Sequence, residues 1–456
     1  MIGGCSAAIA AMAGGRIGGL VFDEPDASHV AHAQSSTDPI LVTIFLRGGC
    51  DGLSLISPYN DSIYKSNRNT NYGDLTVPDP LGSDILNINN AKFFPGAETS
   101  NFCLHPRTTG LDYSLKELYD AGHLALVHAC GLEDDTRSHF DAMDYIERGT
   151  PGNKNMGSGW LTRHLQSINN TGLFPALASG TNPPTSLLAS NSTIAVSRPS
   201  NFDMIGPWRY NHTSTSQPVD AMVSTLDQIY QGTSPLLNAG RKTIDAIRAL
   251  RSIGEYTTPI TSYNDSFGNA LKTVAQLIKL DVGLRVATVD LGGWDHHQYQ
   301  GVRNGTFAGL TETLSRNLYS FYKDMAGYEQ RLTIVVMSEF GRRLGMNASV
   351  GTDHGHGGVM MVLGGKVNGG KMFGSWPGLE DLDQGQDLRT TTDFRTVLSE
   401  AVVRVLGNPK LGTVFPGITP EVYSTATALN IFQGQDPAKI FYDSAMHNVA
   451  LPLVLR

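Results

Sequence analysis

Five stretches of the chain are apolar runs too short to span a membrane: residues 39–46 (PILVTIFL), 123–129 (HLALVHA), 284–291 (LRVATVDL), 332–337 (LTIVVM) and 359–363 (VMMVL). Runs of this length, rich in β-branched residues and bounded by Gly, predict strands buried on both faces, as in a parallel sheet. Between them apolar positions recur with helical spacing. Residues 111–121 place Leu111, Leu115 and Leu118 on one face, with Gly122 as the expected stop. Further helices are predicted over residues 141–148, 266–280 and 310–325, and over 392–406 between an N-capping Thr392 and Gly407. Strands alternating with helices predict an α/β fold: a doubly wound, mainly parallel sheet with helices on both faces.

Residues 152–260 break this rhythm. They are rich in Ser, Thr, Asn and Pro, with helical spacing only near 219–230 and 242–251, and read as an insertion or cap within a domain covering 36–430. Residues 431–456 read as a C-terminal extension. Residues 1–22 (MIGGCSAAIAAMAGGRIGGLVF) carry one charged side chain, Arg16, and resemble the core of a bacterial export signal, so residues 1–35 are expected to be a signal and linker. A buried N-terminal helix is the other reading. No later segment is apolar for long enough to suggest an integral membrane domain.

Composition narrows the function classes. The chain has 456 residues, enough for a large buried core, with 40% apolar and 17% charged residues. A formal net charge of -8, without any Lys/Arg cluster, argues against nucleic acid as the main partner. The four Cys lack CxxC spacing; Cys103 and Cys130 could form one bridge or remain buried thiols. The 50 Gly are in excess, and many flank acidic or His residues, such as Gly48, Gly49 and Gly52 around Asp51. Positive φ and close backbone approach in crowded loops would explain them.

Candidate chemistry gathers beside the strands. Asp51 follows the first, Asp295, His296 and His297 the third, and Glu339 the fourth, while Asp353, His354 and His356 precede the fifth. Ligand crevices of open α/β sheets lie outside the carboxyl ends of the strands. The last group reaches that rim only if its strand is antiparallel or its loop folds back. Carboxylate and imidazole mixtures ligate Zn, Mn or Fe, and a carboxylate-rich set admits Ca or Mg. Alternate residues, Asp295 with His297 and His354 with His356, can face one side of an extended loop. A polar network without an ion is the plain alternative. After the second strand, Thr136, Arg137 and Ser138 precede a helix. There Ser138, or Thr136, is a candidate nucleophile and Arg137 a candidate anion clamp. The plain reading makes the hydroxyls N-caps and pairs Arg137 with Asp134 or Asp135.

Five motifs, RGGCDGLS (47–54), TRSHFDAMDYIERG (136–149), GGWDHHQ (292–298), SEFGRR (338–343) and GTDHGHGGVMMVLGG (351–365), resemble the signatures of the DUF1501 proteins. That family is typically exported, often through twin-arginine signals. It is distantly similar to the alkaline phosphatase and sulfatase superfamily, whose large α/β domain holds two metal ions with Asp and His beside a Ser, Thr or modified Cys nucleophile. The resemblance implies that Asp51 is the first-strand ligand, Ser138 or Thr136 the nucleophile, and Asp295 with His297 an Asp/His metal pair. It places Glu339-Phe340 where an Asp-His pair is usual and matches His354 or His356 to the late His, with Asp353 as a further ligand. No Cys-x-Pro-x-Arg sequence is present, against a formylglycine sulfatase.

The expected function is therefore an exported, periplasmic or extracellular hydrolase of phosphate or sulfate esters. It would use one or two divalent ions (Zn, Mn or Ca), with Arg137 and Arg342 on the oxygens of a small or polymeric anionic ester. The alternative is a secreted binding or structural protein that keeps the fold with Ca or no metal. A redox Fe or Cu site is the third reading; no haem, flavin or nicotinamide motif accompanies it.

Overall fold

The computed structural model describes residues 37–78, 100–169, 174–196 except 181, and 263–443, with isolated positions between them and the pair Arg16–Ile17. The export-like segment apart from Arg16–Ile17 and the stretch near 242–251 apart from Ile244 lie outside the described residues; of the stretch near 219–230, residues 224–226 and 228–229 are described and helical, as expected.

The main sheet contains β1 (Ile40–Arg47), β2 (Leu124–Gly131), β3 (Ala176–Ser179), β4 (Thr193–Ala195), β5 (Val286–Gly292), β6 (Leu332–Ser338), β7 (Gly358–Gly364), β8 (Lys371–Phe373) and β9 (Thr392–Asp393). Its order is β4-β3-β5-β1-β6-β7-β2-β8, with β9 also on β2 and Arg16–Ile17 antiparallel beyond β4. All five predicted strands are present, and the sheet is parallel except at β7 and that edge pair. Residues 174–196, within the irregular region, supply β3 and β4.

Alternation along β1 shows why the sheet is covered twice. Ile40, Val42, Ile44 and Leu46 join one core with Leu271 and Val274 of α5 (Ser266–Lys279) and Leu314 and Leu318 of α6 (Thr306–Asp324). Leu41 and Phe45 point the other way. They join Ala142 and Ile146 of α3 (His139–Arg148), Trp160 and Leu161 of α4 (Trp160–Ser167), and Val397 and Leu398 of α7 (Phe394–Glu400). The remaining named helices are α1 (Ser62–Arg68) and α2 (Leu115–Asp120). Among the described residues no helix is long and apolar enough to cross a membrane.

Two local expectations change, and one open alternative is decided. The Leu111 side chain is fully exposed, because the helix begins only at Leu115 behind the Ser114 cap. Asp393, not Thr392, caps α7 by accepting the Arg395 amide; Thr392 instead pairs with Cys130 in the sheet. Cys103 and Cys130 are both buried and are not bridged to each other, and burial pushes the Cys130 thiol well up.

The glycine excess has a visible purpose at Gly48. Its φ is +123°, and a Cβ there would sit 2.5 Å from the Asp295 amide nitrogen. The β1 loop thus lies directly against the β5 loop. Gly48→Ala should destabilise the fold by about 1–3 kcal/mol, through overpacking and backbone strain. A chemical-denaturation midpoint unchanged from the parent would contradict this.

Candidate metal centre

Three strand ends and one helix start meet at one rim. β5 ends at Gly292, Gly293 follows it, and the buried Trp294 anchors the turn that presents Asp295 and His297. β6 ends beside Glu339, which is fully buried. β7 runs antiparallel to β6, so the loop entering it carries Asp353 and His354 to the carboxyl ends of the parallel strands. The antiparallel option is the one realised. α3 starts at the same rim and brings in His139, which the sequence reading had passed over in favour of Ser138.

Three imidazoles converge in the same manner. His139 Nδ1 lies 2.7 Å from Glu339 Oε1, His297 Nδ1 3.0 Å from Asp353 Oδ1, and His354 Nδ1 2.7 Å from the Arg137 carbonyl oxygen. Ionised carboxylates and carbonyls only accept, so each Nδ1 carries the proton and each Nε2 presents its lone pair inward. His297 Nε2 and His354 Nε2 are 2.9 Å apart and lie 3.1 and 3.2 Å from Asp295 Oδ1. His139 Nε2 lies 3.4 Å from Asp295 Oδ2 without a hydrogen bond. Lone pairs facing one another this closely are relieved by a cation between them, either a shared proton or a metal ion. Metal–ligand bonds of about 2.0–2.1 Å in a tetrahedral site give ligand–ligand edges of about 3.3 Å, close to these spacings. Acceptors behind each Nδ1 are the usual outer support of metal-binding imidazoles. His139, Asp295 and His354 together could hold a metal ion.

Arg342 organises the centre from beneath. Its side chain is fully buried and donates to the carbonyls of Gly48, Gly49, Trp294 and Thr352 and to Asp295 Oδ1. It therefore joins the β1, β5 and β7 loops, and those bonds direct its guanidinium into the protein, away from the substrate oxygens expected of it. Partial burial opposes ionisation of Asp295, but Arg342, His354 and His297 outweigh it and hold the carboxyl at about 2. Burial and the Arg342 charge lower the His354 pKa, favouring the neutral ring that a ligand needs. The Glu339 hydrogen bond raises that of His139 despite partial burial. Phe340 stacks near both rings, 4.9 Å from His139 and 4.7 Å from His354. The side chains of Asp295 and His297 remain about half exposed, at 45% and 46%, so the centre opens to solvent.

Other predicted residues go elsewhere. Asp51 is buried and accepts from both Arg68 Nη atoms (2.5 and 3.1 Å), Ser54 Oγ (2.7 Å) and Gln300 Nε2 (2.6 Å). Its oxygens serve that network, not the His cluster. His356 does not share a side with His354: its Nδ1 lies 2.7 Å from Asp383, and with Asp135 these form a second group able to hold an ion. Ser138 caps α3 through the Asp141 amide, and Thr136 Oγ1 accepts the Ser138 amide. Arg137 pairs with Asp387 at 2.5 Å and with Gln384, rather than with Asp134 or Asp135.

A family model described as a protein of unknown function (DUF1501) matches residues 39–399. No curated protein sequence matches the chain. Among solved structures, Ps i-CgsB in complex with k-i-k-neocarrahexaose aligns at 10% identity and TM-score 0.33, covering 75% of this chain and 69% of that one. The PsFucS1 sulfatase from Pseudoalteromonas sp. aligns at 10% identity and TM-score 0.33, covering 89% and 76%. An alkaline phosphatase from the Antarctic bacterium TAB5 aligns at 10% identity and TM-score 0.27, covering 72% and 92%.

Proposed function

The chain belongs to the DUF1501 family, and we propose that this member is a metal-dependent hydrolase of phosphate or sulfate esters, its ion held by Asp295, His297 and His354 with His139 completing the set. The observation that carries this reading is the shared posture of the three imidazoles, Nδ1 anchored outward and Nε2 turned to Asp295. Nitrogen-rich donors favour Zn over Ca, and the carboxylate of Asp295 also admits Mn. When bound, the ion supplies Lewis acidity that stabilises charge building on the ester oxygens.

The chain's own residues supply the rest. Glu339 and Asp353 orient His139 and His297, and Arg342 holds Asp295 ionised and in place. Ser138, at the start of α3 and next to His139, is the candidate nucleophile; the helix N-terminus there favours a developing negative charge. Arg137, anchored by Asp387 and Gln384 through Nε and Nη2, is the remaining candidate to meet a non-bridging oxygen. The apolar segment 1–22 supports action outside the cytoplasm.

One observation favours the second reading, a secreted binding protein with Ca or no metal: Asp51 is committed to Arg68. Elemental analysis of purified protein separates the two. The hydrolase reading expects about one transition-metal ion per chain, and turnover of aryl phosphate or aryl sulfate esters that stops on chelation. Only Ca or no metal, with no ester turned over, would refute it.

A further inference from the structure

The rim aromatics divide into two kinds. Trp294 and Phe340 are 0% and 4% exposed and serve the core. Phe140 and Tyr299 are 83% and 76% exposed, each within two residues of an imidazole of the centre. Phe140 follows His139 at the start of α3, and Tyr299 lies two residues beyond His297. The His354 ring contacts both histidines, with centroids 4.3 Å from His139 and 4.6 Å from His297. Phe140 and Tyr299 thus belong to the two chain segments that contribute the neighbours of His354.

Tyr299 also has a backbone that its side chain does not favour. Its φ is +45°, in the left-handed region where a bulky residue is an outlier. The surroundings impose this. The Tyr299 amide donates to the Ser349 carbonyl, and the next residue, Gln300, is fully buried and tied through its side chain to Asp51 and Thr352. Strain held this firmly at an open site is a pointer to function. A solvent-exposed ring is what it presents. The committed Arg342 leaves room for recognition through something other than charge.

We infer that Phe140 and Tyr299 form a ring-binding subsite at the lip of the centre, taking the flat apolar face of an aryl or pyranose group on the substrate ester. The inference rests on the hydrolase reading for the word substrate, but its test does not need turnover. Binding of phenylphosphonate, glucose 6-phosphate and methylphosphonate is measured by calorimetry on the metal-loaded protein. At least one ring ligand should bind about tenfold tighter than methylphosphonate, the usual scale of aromatic stacking.

Which ring ligand gains identifies the source, aryl or saccharide. Tyr299→Asn removes the ring while tolerating the left-handed backbone, and Phe140→Ala removes the other ring; each should bring the ratio toward one. Tyr299→Phe should retain it, as should Leu111→Ala at a distant exposed position. Equal binding of all three ligands to the parent, or a ratio untouched by Tyr299→Asn and Phe140→Ala, would overturn the subsite. A ring preference without any ester turnover would remove hydrolysis and leave the subsite standing.

Discussion

Asp51→Ala should destabilise the protein by about 3–5 kcal/mol, the usual cost of leaving one partner of a buried ion pair alone. Arg68 is 0% exposed and would keep its charge without a counterion. Ser54 and Gln300 would lose their acceptor as well. The check is a denaturant midpoint that falls with little change in slope. The double variant Asp51→Ala/Arg68→Met should recover part of the loss, because no charge is then buried unpaired. If the two single losses simply add in the double variant, the pair is not the source. Metal content should persist in whatever Asp51→Ala protein folds, since Asp51 is not among the residues that face His354.

The same pair sets a pH dependence. Burial raises the Asp51 pKa, but the Arg68 charge and the hydrogen bonds from Arg68, Ser54 and Gln300 outweigh it, so the folded value lies below the ordinary one. A depressed folded pKa stabilises the protein above the unfolded carboxyl pKa of about 3.9. That contribution is lost as the pH falls through the folded value. The difference in stability between parent and Asp51→Asn should therefore shrink on acidification below that range and stay constant above it.

Much of the scaffold was legible because its signals are local. A β-branched run such as residues 39–46 can only be covered on both faces, and the structure buries it so. Asp295 and His297 were legible as a pair because alternation in an extended loop brings them to one side. His139 was not singled out, although it stands next to Ser138: nothing local shows that Glu339, 200 positions away, receives its Nδ1. Asp51 misled for the same reason. An Asp after a core strand looks like a ligand until Arg68 and Gln300 are known to reach it. The direction of β7 was equally non-local, yet it determines whether His354 reaches the rim. The His-x-His spacing then suggested a shared side that the contact of His356 with Asp383 does not support.

His354→Ala should abolish stoichiometric metal binding and reduce ester turnover by at least about a thousandfold, into the range expected when charge stabilisation at the reacting oxygens is lost. His354 is the shared neighbour of the other two imidazoles and of Asp295, so its loss leaves only the separate contacts of His297 and of His139 with Asp295. Removing the supports should be milder. Glu339→Gln and Asp353→Asn keep the volume behind His139 and His297 but weaken their orientation, which should cost about 10–100-fold in metal affinity. The graded series is diagnostic. A structural ion or a bare polar network would make the buried Glu339 at least as sensitive as the more open His354, because burial would set the cost. A metal centre makes His354 the larger loss in metal content and turnover, with Glu339→Gln recoverable by excess metal. Competition with a chelator, read alongside turnover at rising Zn or Mn, checks both arms, and equal, unrecoverable loss in the two variants would refute the assignment of His354 as ligand and Glu339 as the support of His139.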